Sequence, residues 1–406
     1  MENRQRGVFS QSLTAVAGSI MFKGEETMIP KERMARAMEL GRPDRVPVMC
    51  QMSIGHMLCQ TGFSPVEFWF GKECFAEGLL KLRAQYDFDG ILISLHGHAP
   101  DWGKNIVRMQ HDGNQDIVFW KDGSRTVFPG DDLPQHHPEI QKSPPSIAEF
   151  DPDTVPERLD FIPVSQGLEF RLDPEHTYDI FDIILARAGE RYSIHGEVTS
   201  PFDYFLNQFG FSGGFLALAE EPEKSKAVLE RFSEDIEKIA LEQASLGVDA
   251  IKISSPYAGA GFISPGFYRE FILPFEGRIA KAVRKRGVQI YTHTCGAIND
   301  RLEMMAEAGI SGIECLDPPP LGNVELGAAK ARIGRSIFIK GNIDPVNTLL
   351  FGDPEKVGRD ACERIETGKP GGGFILSSAC SIAPHTPKEN VCLLAPLAQE
   401  FGRYIA

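Results

Sequence analysis

Long apolar runs are absent from the sequence. No stretch of about 18 consecutive apolar residues occurs, and no secretory signal is recognisable. A membrane-spanning helix is therefore not expected, and a cytoplasmic location is the default expectation. The eight cysteines are scattered singly, without the paired Cys-x-x-Cys spacing of a structural zinc module. We therefore expect reduced thiols rather than a framework of disulfides or zinc knuckles.

Basic residues are fewer than acidic ones. The sequence has 42 Lys and Arg against 56 Asp and Glu, which gives a formal net charge of −14. Because an acidic protein of this size repels a polyanion, nucleic acid is not an expected partner. The 406 residues, 42% of them hydrophobic, are enough for one large α/β domain with an elaboration or for two domains.

Short β-rich runs alternate with helical stretches along most of the chain. Segments such as residues 221–247 and 274–287 have apolar residues at helical spacing and end in glycine. Eight alternating strands predict a (β/α)8 barrel (TIM barrel) of the α/β class, with an open doubly wound sheet as the alternative. The predicted strands are Val46–Met49, Ile91–Leu95, Tyr192–Glu197, Ala250–Ile253, Val288–His293, Gly312–Leu316, Ile337–Asn342 and Gly373–Ser378.

Two parts of the chain fall outside this alternation. Residues 1–28 are interpreted as an extension. It could be a targeting peptide, a vector remnant, the product of an alternative start, or an arm that is either disordered or used for oligomerisation. The barrel is expected to cover residues 29–406 and to open with a helix that begins at Pro30. Residues 100–165 combine alternating polarity, an Asp-Gly turn and a Pro-rich stretch. They predict a β-hairpin inserted after the second strand, with a loop able to cover the barrel mouth.

Two strand ends carry the soft donors that Zn²⁺ prefers, His293 with Cys295 and, far downstream, Cys380. In a barrel the carboxyl ends of the strands meet at one mouth, so the fifth and eighth strands would bring this trio together. Glu314 ends the sixth strand between apolar neighbours and needs a partner, which makes it the candidate fourth ligand. Cys315 is expected to point to the opposite side of that strand.

Each of these residues also has a purely structural interpretation, since cysteine is among the most frequently buried residues and histidine can satisfy a backbone carbonyl. The other cysteines are expected to be structural, namely Cys50, Cys59, Cys74, Cys362 and Cys392. Further polar residues near strand ends are candidates for orienting a substrate or moving a proton, namely His96, Glu197, Tyr257 and Asn342. In the insertion, His136 and His137 are expected in a solvated loop, with a lid as the alternative.

The donor types also indicate the kind of reaction. Two thiolates cancel the charge of a zinc ion, which weakens the metal as a Lewis acid and as a source of hydroxide. Such a site favours a bound thiolate that stays nucleophilic, or the exchange of a ligand for a substrate oxygen or sulfur. Alkyl transfer is therefore a better expectation than hydrolysis.

Five segments resemble the uroporphyrinogen decarboxylase superfamily in order and spacing, over about residues 29–404. They are KERMARAMELGRPDRVPV, VDAIKISSPYAGAGFISPGFYREFILPF, GVQIYTHTCGAINDRLEMMAEAGISGIECLD, IFIKGNIDPVNTLLFGDPEKV and SSACSIAPHTPKENV. The decarboxylase itself carries an arginine-rich segment after its first strand, where this chain reads VMCQMSIGHM. The essential aspartate of the decarboxylase corresponds to a position near Leu95-His96 in this chain. Both departures argue against a porphyrinogen with eight carboxylates, which needs arginines to neutralise it.

The chain looks more like the zinc methyltransferase branch, whose His-x-Cys…Cys motif is matched by His293, Cys295 and Cys380. Cobalamin-independent methionine synthase, a more distant resemblance, has a zinc-binding glutamate where Glu314 stands. The resemblance implies Zn²⁺, a corrinoid (cobalamin) protein as partner, and a small-molecule methyl donor or acceptor. The insertion looks like that of the demethylases, which implies O-demethylation of a methoxylated aromatic substrate. Methyl transfer to a thiol such as coenzyme M, a decarboxylase and a non-catalytic zinc-binding protein stay open, and a homodimer is a further expectation.

Overall fold

The computed structural model describes residues 28–141, 143–164 and 168–404. The predicted extension, residues 1–28, lies almost entirely outside them, and its boundary with the barrel stays a prediction. The strands are β1 (Gly90–Leu92), β2 (Ile106–Asp112), β3 (Gln115–Trp120), β4 (Arg125–Pro129), β5 (Gln135–His137), β6 (Phe161–Pro163), β7 (Glu169–Arg171), β8 (Ser193–Thr199), β9 (Ala250–Ser254), β10 (Gln289–Thr294), β11 (Gly312–Cys315), β12 (Phe338–Ile343) and β13 (Phe374–Ser378).

Fifteen α-helices lie in the same ranges, and none of them is both long enough and apolar enough to cross a membrane. They are α1 (Pro30–Met38), α2 (Ile54–Thr61), α3 (Pro65–Phe70), α4 (Lys72–Tyr86), α5 (Asp179–Ala188), α6 (Pro201–Phe209), α7 (Phe211–Glu220), α8 (Pro222–Ser245), α9 (Pro265–Phe271), α10 (Leu273–Arg284), α11 (Leu302–Glu307), α12 (Leu326–Ile333), α13 (Pro354–Gly368), α14 (Lys388–Cys392) and α15 (Leu394–Phe401).

Seven parallel strands form the main sheet, in the order β1-β8-β9-β10-β11-β12-β13. The segment predicted as the first strand, Val46–Met49, occupies the eighth position but makes single bridges instead of a continuous strand. Val48 is bridged to Leu376 in β13, and Asp89 N, just before β1, donates to the Val48 carbonyl oxygen at 2.8 Å. The segment closes the sheet on itself, so the predicted (β/α)8 barrel is confirmed and the open sheet is excluded.

Helix α1 covers the amino-terminal end of the barrel, as the predicted opening helix should. Met34, Ala37 and Met38 pack in one cluster with Tyr291 and Phe338, which come from β10 and β12. This apolar layer closes the bottom of the barrel and removes it from water. The opposite mouth, at the carboxyl ends of the strands, is therefore the end at which an active site is expected.

Several helices that follow strands begin at a Ser-Pro or Asp-Pro pair. The side chains of Ser200, Ser264 and Asp353 accept hydrogen bonds from backbone N–H groups in the first turns of α6, α9 and α13, and a proline occupies the next position. The oxygen satisfies an N–H that the helix leaves unpaired, and proline has no N–H to lose there. These pairs fix the residue at which each helix begins.

The insertion after β1 is larger than the single hairpin that the sequence predicts. Strands β2 to β5 form an antiparallel four-stranded sheet, and β6 pairs with β7 separately. The turns between β2 and β3 and between β3 and β4 contain Gly113 and Gly123, whose φ angles are +62° and +83°. The predicted hairpin is therefore present, and short segments that follow it add further strands.

The insertion packs onto the start of α2 through a close approach that glycine permits. A Cβ atom on Gly55 would lie 2.0 Å from the carbonyl oxygen of Asp131, in the turn between β4 and β5. His385 Nε2 lies 3.0 Å from Asp131 Oδ2. Because residue 385 follows the last barrel strand, these contacts anchor the insertion beside the barrel mouth.

A buried carboxylate joins α1, the first barrel segment and the start of β1. Asp89 accepts hydrogen bonds from Arg33 Nη1 at 2.6 Å, Arg45 Nη1 at 3.0 Å and Val48 N at 2.7 Å. The Asp89 side chain is only 1% exposed. Because this carboxylate serves two guanidinium groups, its loss would remove the ion pair of Arg45 and leave Arg33 with Asp44 alone.

We expect Asp89→Asn to lower the free energy of unfolding by about 3–5 kcal/mol, the usual cost of breaking a buried ion pair. Urea denaturation followed by circular dichroism would measure it. The matched control is Glu355→Gln, which breaks an exposed pair with Arg359 and should cost less than about 0.5 kcal/mol. Equal losses in the two variants would contradict the structural role assigned to Asp89.

Candidate metal centre

Four soft donor atoms meet at the carboxyl ends of β10, β11 and β13. His293 lies in β10 and Cys295 directly follows it, Cys315 ends β11, and Cys380 lies two residues after β13. The nitrogen or sulfur atoms of these four residues all lie within 4.8 Å of one another. The structure therefore brings the predicted trio together and adds a fourth donor. Within the described ranges, the five cysteines predicted to be structural lie outside this group.

The expectation that Cys315 points away from the centre is wrong. It assumed that side chains alternate along the strand, which holds only while the backbone stays extended. Cys315 and Leu316 have φ angles of +89° and +58°, so the backbone enters the left-handed region at the end of β11. The Cys315 Sγ atom consequently reaches the centre, where it also donates to Asp317 Oδ2 at 3.3 Å.

The spacing of the donors fits a tetrahedral zinc ion. Cys295 Sγ lies 3.7 Å from Cys380 Sγ and 3.3 Å from His293 Nε2, and Cys380 Sγ lies 3.8 Å from the same nitrogen. Zinc bonds of about 2.3 Å to sulfur and about 2.0 Å to nitrogen separate tetrahedral donors by about 3.5–3.8 Å. The residues therefore fit Zn²⁺ in both distance and chemistry, because thiolate and imidazole are its preferred ligands.

The residues of the centre shift one another's pKa values. Burial lowers the pKa of His293, but the interactions with Cys295 and Cys380 outweigh burial and raise the pKa of His293 to about 9. Hydrogen bonds from Cys295 and Cys315 hold the pKa of Cys380 well below its usual range. Burial raises the pKa of Cys315 well above its usual range. A metal would displace these protons, as metals generally do on binding thiols and imidazoles.

Glu314 contacts the far side of the imidazole ring. Its Oε2 atom lies 3.0 Å from His293 Nδ1, and its Oε1 atom accepts a hydrogen bond from Lys340 Nζ. With Nδ1 held by the carboxylate, Nε2 faces the thiols, which is the carboxylate–histidine pairing found at many zinc sites. The structure thus gives Glu314 a positioning contact. Its role as a direct metal ligand stays a prediction.

A second carboxylate fixes the turn that carries Cys295. Gly296 has a φ angle of +76°, and its N–H donates to Asp317 Oδ2 at 2.6 Å. Gly259 approaches from the loop after β9, where a Cβ atom would lie 2.5 Å from the Cys295 carbonyl oxygen. The turn is therefore held on both sides, which preorganises the Cys295 thiol for binding.

A second buried ion pair lies inside the barrel on the neighbouring strands. Lys252 Nζ lies 3.1 Å from Glu197 Oε2 and donates to Gln51 Oε1 at 2.7 Å. Glu197 thus lies inside the barrel. Lys252 and Lys340 were not among the residues predicted to belong to a site. The signal for both lysines is present in the sequence, because a lysine inside an otherwise apolar strand (AIKI, FIKG) must have a partner.

The other predicted polar residues have contacts of different kinds. His96 is packed 5.7 Å from the ring of Phe181 in α5, and burial lowers the pKa of His96 to about 4. Asn342 donates to the Leu316 carbonyl oxygen at 2.8 Å and so supports the turn after β11. Tyr257 lies edge-on to two phenylalanine rings, with 4.7 and 5.3 Å between ring centres. Roles of these residues with substrate or protons stay predictions.

The fold and the centre together define a (β/α)8 barrel with a cluster of thiol and imidazole donors at its mouth. The family model for uroporphyrinogen decarboxylase (URO-D) matches residues 140–401, which is more than half of the chain. The chain therefore belongs to the uroporphyrinogen decarboxylase family.

Relatives of the chain include decarboxylases and methyltransferases. The uroporphyrinogen decarboxylase of Gloeobacter violaceus is 28% identical over 237 residues, covering 54% of this chain and 63% of the relative. The methylcobamide:CoM methyltransferase MtbA of Methanosarcina mazei is 24% identical over 377 residues, covering 92% and 98%. The solved structure of a methyltransferase from Methanosarcina mazei is 20% identical to this chain. The match covers 92% of this chain and 99% of the other, and its TM-score of 0.68 shows a shared fold. The chain spans less than two thirds of the decarboxylase's length.

We expect the purified protein to contain about one zinc ion per chain and Cys380→Ser to lose it, because the variant removes one of the convergent donors. Inductively coupled plasma mass spectrometry would measure the metal. Cys362→Ser is the matched control, since Cys362 is a buried cysteine of α13 outside the centre. Zinc retained equally by both variants would show that Cys380 is not a ligand.

We expect Glu314→Gln to weaken zinc affinity by about 10–100-fold, the usual effect of losing the carboxylate behind a metal-binding histidine. Competition with a chromogenic chelator would measure the affinity. Glu303→Gln, which changes an exposed carboxylate paired with Arg332, should leave it unchanged. Complete loss of zinc from Glu314→Gln would instead favour direct ligation by Glu314, and an unchanged affinity would contradict both roles.

Proposed function

We propose that the protein is a zinc-dependent methyltransferase that moves a methyl group between a small molecule and the cobalt of a separate corrinoid protein. The observation that carries this proposal is the group of three thiols and one imidazole within 4.8 Å at the barrel mouth. Several relatives are named methylcobamide:CoM methyltransferase, and these names support both the methyl transfer and the corrinoid partner.

In this proposal His293, Cys295 and Cys380 hold the zinc ion. Cys315 is the donor with an alternative partner, because its thiol is also hydrogen bonded to Asp317. With three permanent ligands and Cys315 as an exchangeable fourth, the zinc ion would have a coordination position for a substrate, as catalytic zinc sites require. Bound there, zinc would supply a mild Lewis acid for an oxygen or sulfur atom of the substrate.

The direction that we favour is O-demethylation of a methoxylated aromatic compound. Cobalt(I) supplies the electron pair of the new cobalt–carbon bond, while the bond between the methyl carbon and the ether oxygen breaks. The electrons of that bond remain on the oxygen, which leaves as a phenolate and takes up a proton. The barrel mouth serves this reaction by holding the ether in place for the cobalt.

Methyl transfer to a thiol is the second candidate, and the names of relatives favour it. They include MtaA and a methylated-thiol–coenzyme M methyltransferase. In this direction a thiolate attacks the methyl group of methyl-cobalt, a carbon–sulfur bond forms, and cobalt(I) keeps the electron pair. A thiolate-rich centre suits this reaction as well, because it leaves a bound thiolate nucleophilic.

A porphyrinogen decarboxylase is disfavoured by the segment after the first barrel position, VMCQMSIGHM, which contains no arginine. Its Gln51 is bound to Lys252, and its His56 Nε2 lies 2.8 Å from Tyr86 Oη in the core. A substrate with many carboxylates needs guanidinium groups to neutralise it.

A non-catalytic zinc protein is a further alternative. In such a protein, removal of zinc would destabilise the fold, whereas in an enzyme it would mainly abolish activity. The expected homodimer and cytoplasmic location stay predictions.

We expect the zinc-loaded protein to form methylcobalamin from cob(I)alamin and 1,2-dimethoxybenzene under anaerobic conditions. The reaction would be followed by the cobalamin absorbance spectrum and by release of 2-methoxyphenol. Cys295→Ser should reduce the rate to the uncatalysed level, because it removes a donor of the centre, and Cys362→Ser should keep the full rate.

The reverse assay supplies methylcobalamin and coenzyme M and measures loss of the methyl group. Activity in this assay alone would indicate that the small-molecule substrate is a thiol that accepts the methyl group, and not an aromatic methyl ether. Zinc-loaded protein that is inactive in both assays, with free cobalamin and with a corrinoid protein, would overturn the proposal.

A further inference from the structure

A cavity of about 800 Å³ lies between the insertion and the barrel rim. Its walls come from α3, from the segment that follows β1, and from strands β3 to β5 and β7. The chain has three tryptophans, and all of them, Trp69, Trp102 and Trp120, line this cavity. The volume falls within the range of about 300–1,000 Å³ that is typical of small-molecule sites.

The aromatic rings of the cavity are arranged as a continuous π surface. Trp102 stacks on Phe70 with 4.6 Å between ring centres and an interplanar angle of 14°. Trp120 and Phe128 approach Phe70 from the insertion, each at 5.8 Å. Rings in such offset and edge-on arrangements favour a further planar ring over an aliphatic group of the same size.

Two histidines are among the polar residues that line this cavity. Burial lowers the pKa of His98 to about 4 and also lowers the pKa of His136. The buried Nε2 atom of His98 has no hydrogen-bond partner among the described residues. Unpaired buried polar atoms of this kind are uncommon in proteins and indicate a missing partner.

A short chain of hydrogen bonds orients the His136 ring. Trp120 Nε1 donates to Thr126 Oγ1 at 2.9 Å, and Thr126 Oγ1 lies 2.9 Å from His136 Nδ1. Thr126 Oγ1 accepts from the indole and keeps a proton and a second lone pair for His136 Nδ1. This contact leaves His136 Nε2 for a bound molecule, as a donor or an acceptor according to the tautomer of the ring.

Charge at the cavity is close to balanced, since three basic and four acidic side chains line it. Lys104 is paired with Asp101 at 2.8 Å, and Arg171 with Glu169 at 3.0 Å. A phosphate or polycarboxylate would require an excess of unpaired cations. The chemistry of the walls therefore selects an aromatic ring with oxygen substituents and little net charge.

We propose that this cavity is a binding site for small oxygen-substituted aromatic molecules, such as phenols and aryl methyl ethers. Its lining residues are different from the donors of the metal centre, so binding there does not depend on the metal. Its connection with methyl transfer rests on the proposed function. The cavity would hold the aromatic methyl donor, or its phenol product, beside the barrel mouth.

The three tryptophans make the site measurable through intrinsic fluorescence, because every tryptophan of the chain lies in its wall. We expect saturable quenching by 2-methoxyphenol, corrected for absorption by the ligand. The comparison compound 2-methoxycyclohexanol has the same oxygens without the aromatic ring and should bind about tenfold more weakly. No saturable response, or equal affinity for the two compounds, would overturn the proposal.

Variants locate the binding in the cavity. Trp102→Leu should weaken the affinity for 2-methoxyphenol about tenfold by removing one stacking surface. Phe351→Leu is the matched control, because Phe351 is 76% exposed and outside the cavity. His98→Phe keeps an aromatic wall if Trp102→Leu fails to fold, and should abolish the preference for 2-methoxyphenol over toluene. Unchanged binding in both cavity variants would overturn the proposal.

Cys295→Ser separates this inference from the proposed function. The variant should bind 2-methoxyphenol with unchanged affinity, because its sulfur lies in the metal centre and not in the cavity wall. Aromatic binding without methyl transfer in the zinc-loaded protein would overturn the proposed function alone. Methyl transfer without saturable quenching would overturn the aromatic site alone.

Discussion

The contact of Glu314 with His293 and Lys340 inside the barrel is the interaction on which the metal centre depends. All three side chains are buried, where an isolated charge would be too costly to keep. The carboxylate lies between the ammonium group and the imidazole, so each charge has a partner. The same arrangement directs His293 Nε2 toward the thiols. The ion pair therefore sets the orientation of the donor as well as permitting its burial.

Strand register explains why these partners meet. His293 is paired with Glu314 across β10 and β11, and Glu314 with Lys340 across β11 and β12. Glu197 and Lys252 are likewise paired across β8 and β9. In a parallel sheet, side chains at paired positions point to the same face. The two ion pairs thus lie two residues apart in register, because Lys252 is paired with Tyr291 and not with His293.

The fold and most of the metal centre could be predicted from the sequence. Alternating strands and helices specify a barrel, and a barrel brings the ends of its strands to one mouth. His293, Cys295 and Cys380 could be placed in this way. The direction of the Cys315 side chain could not, because it depends on a local positive φ angle that periodicity does not encode. Nor could Lys340 be identified as the partner of Glu314, because that pairing depends on the register between β11 and β12. The extent of the insertion was underestimated because three of its added strands, β5, β6 and β7, are only three residues long.

The insertion physically connects the aromatic cavity with the metal centre. Phe128 in β4 and His136 in β5 contribute to the cavity wall. Asp131, in the turn between them, contacts His385 in the segment that follows Cys380. A single hairpin would supply neither the wall nor this anchor, which gives a physical reason for four strands. The insertion thus supplies a wall of the cavity and, through Asp131, a contact with the segment that follows Cys380.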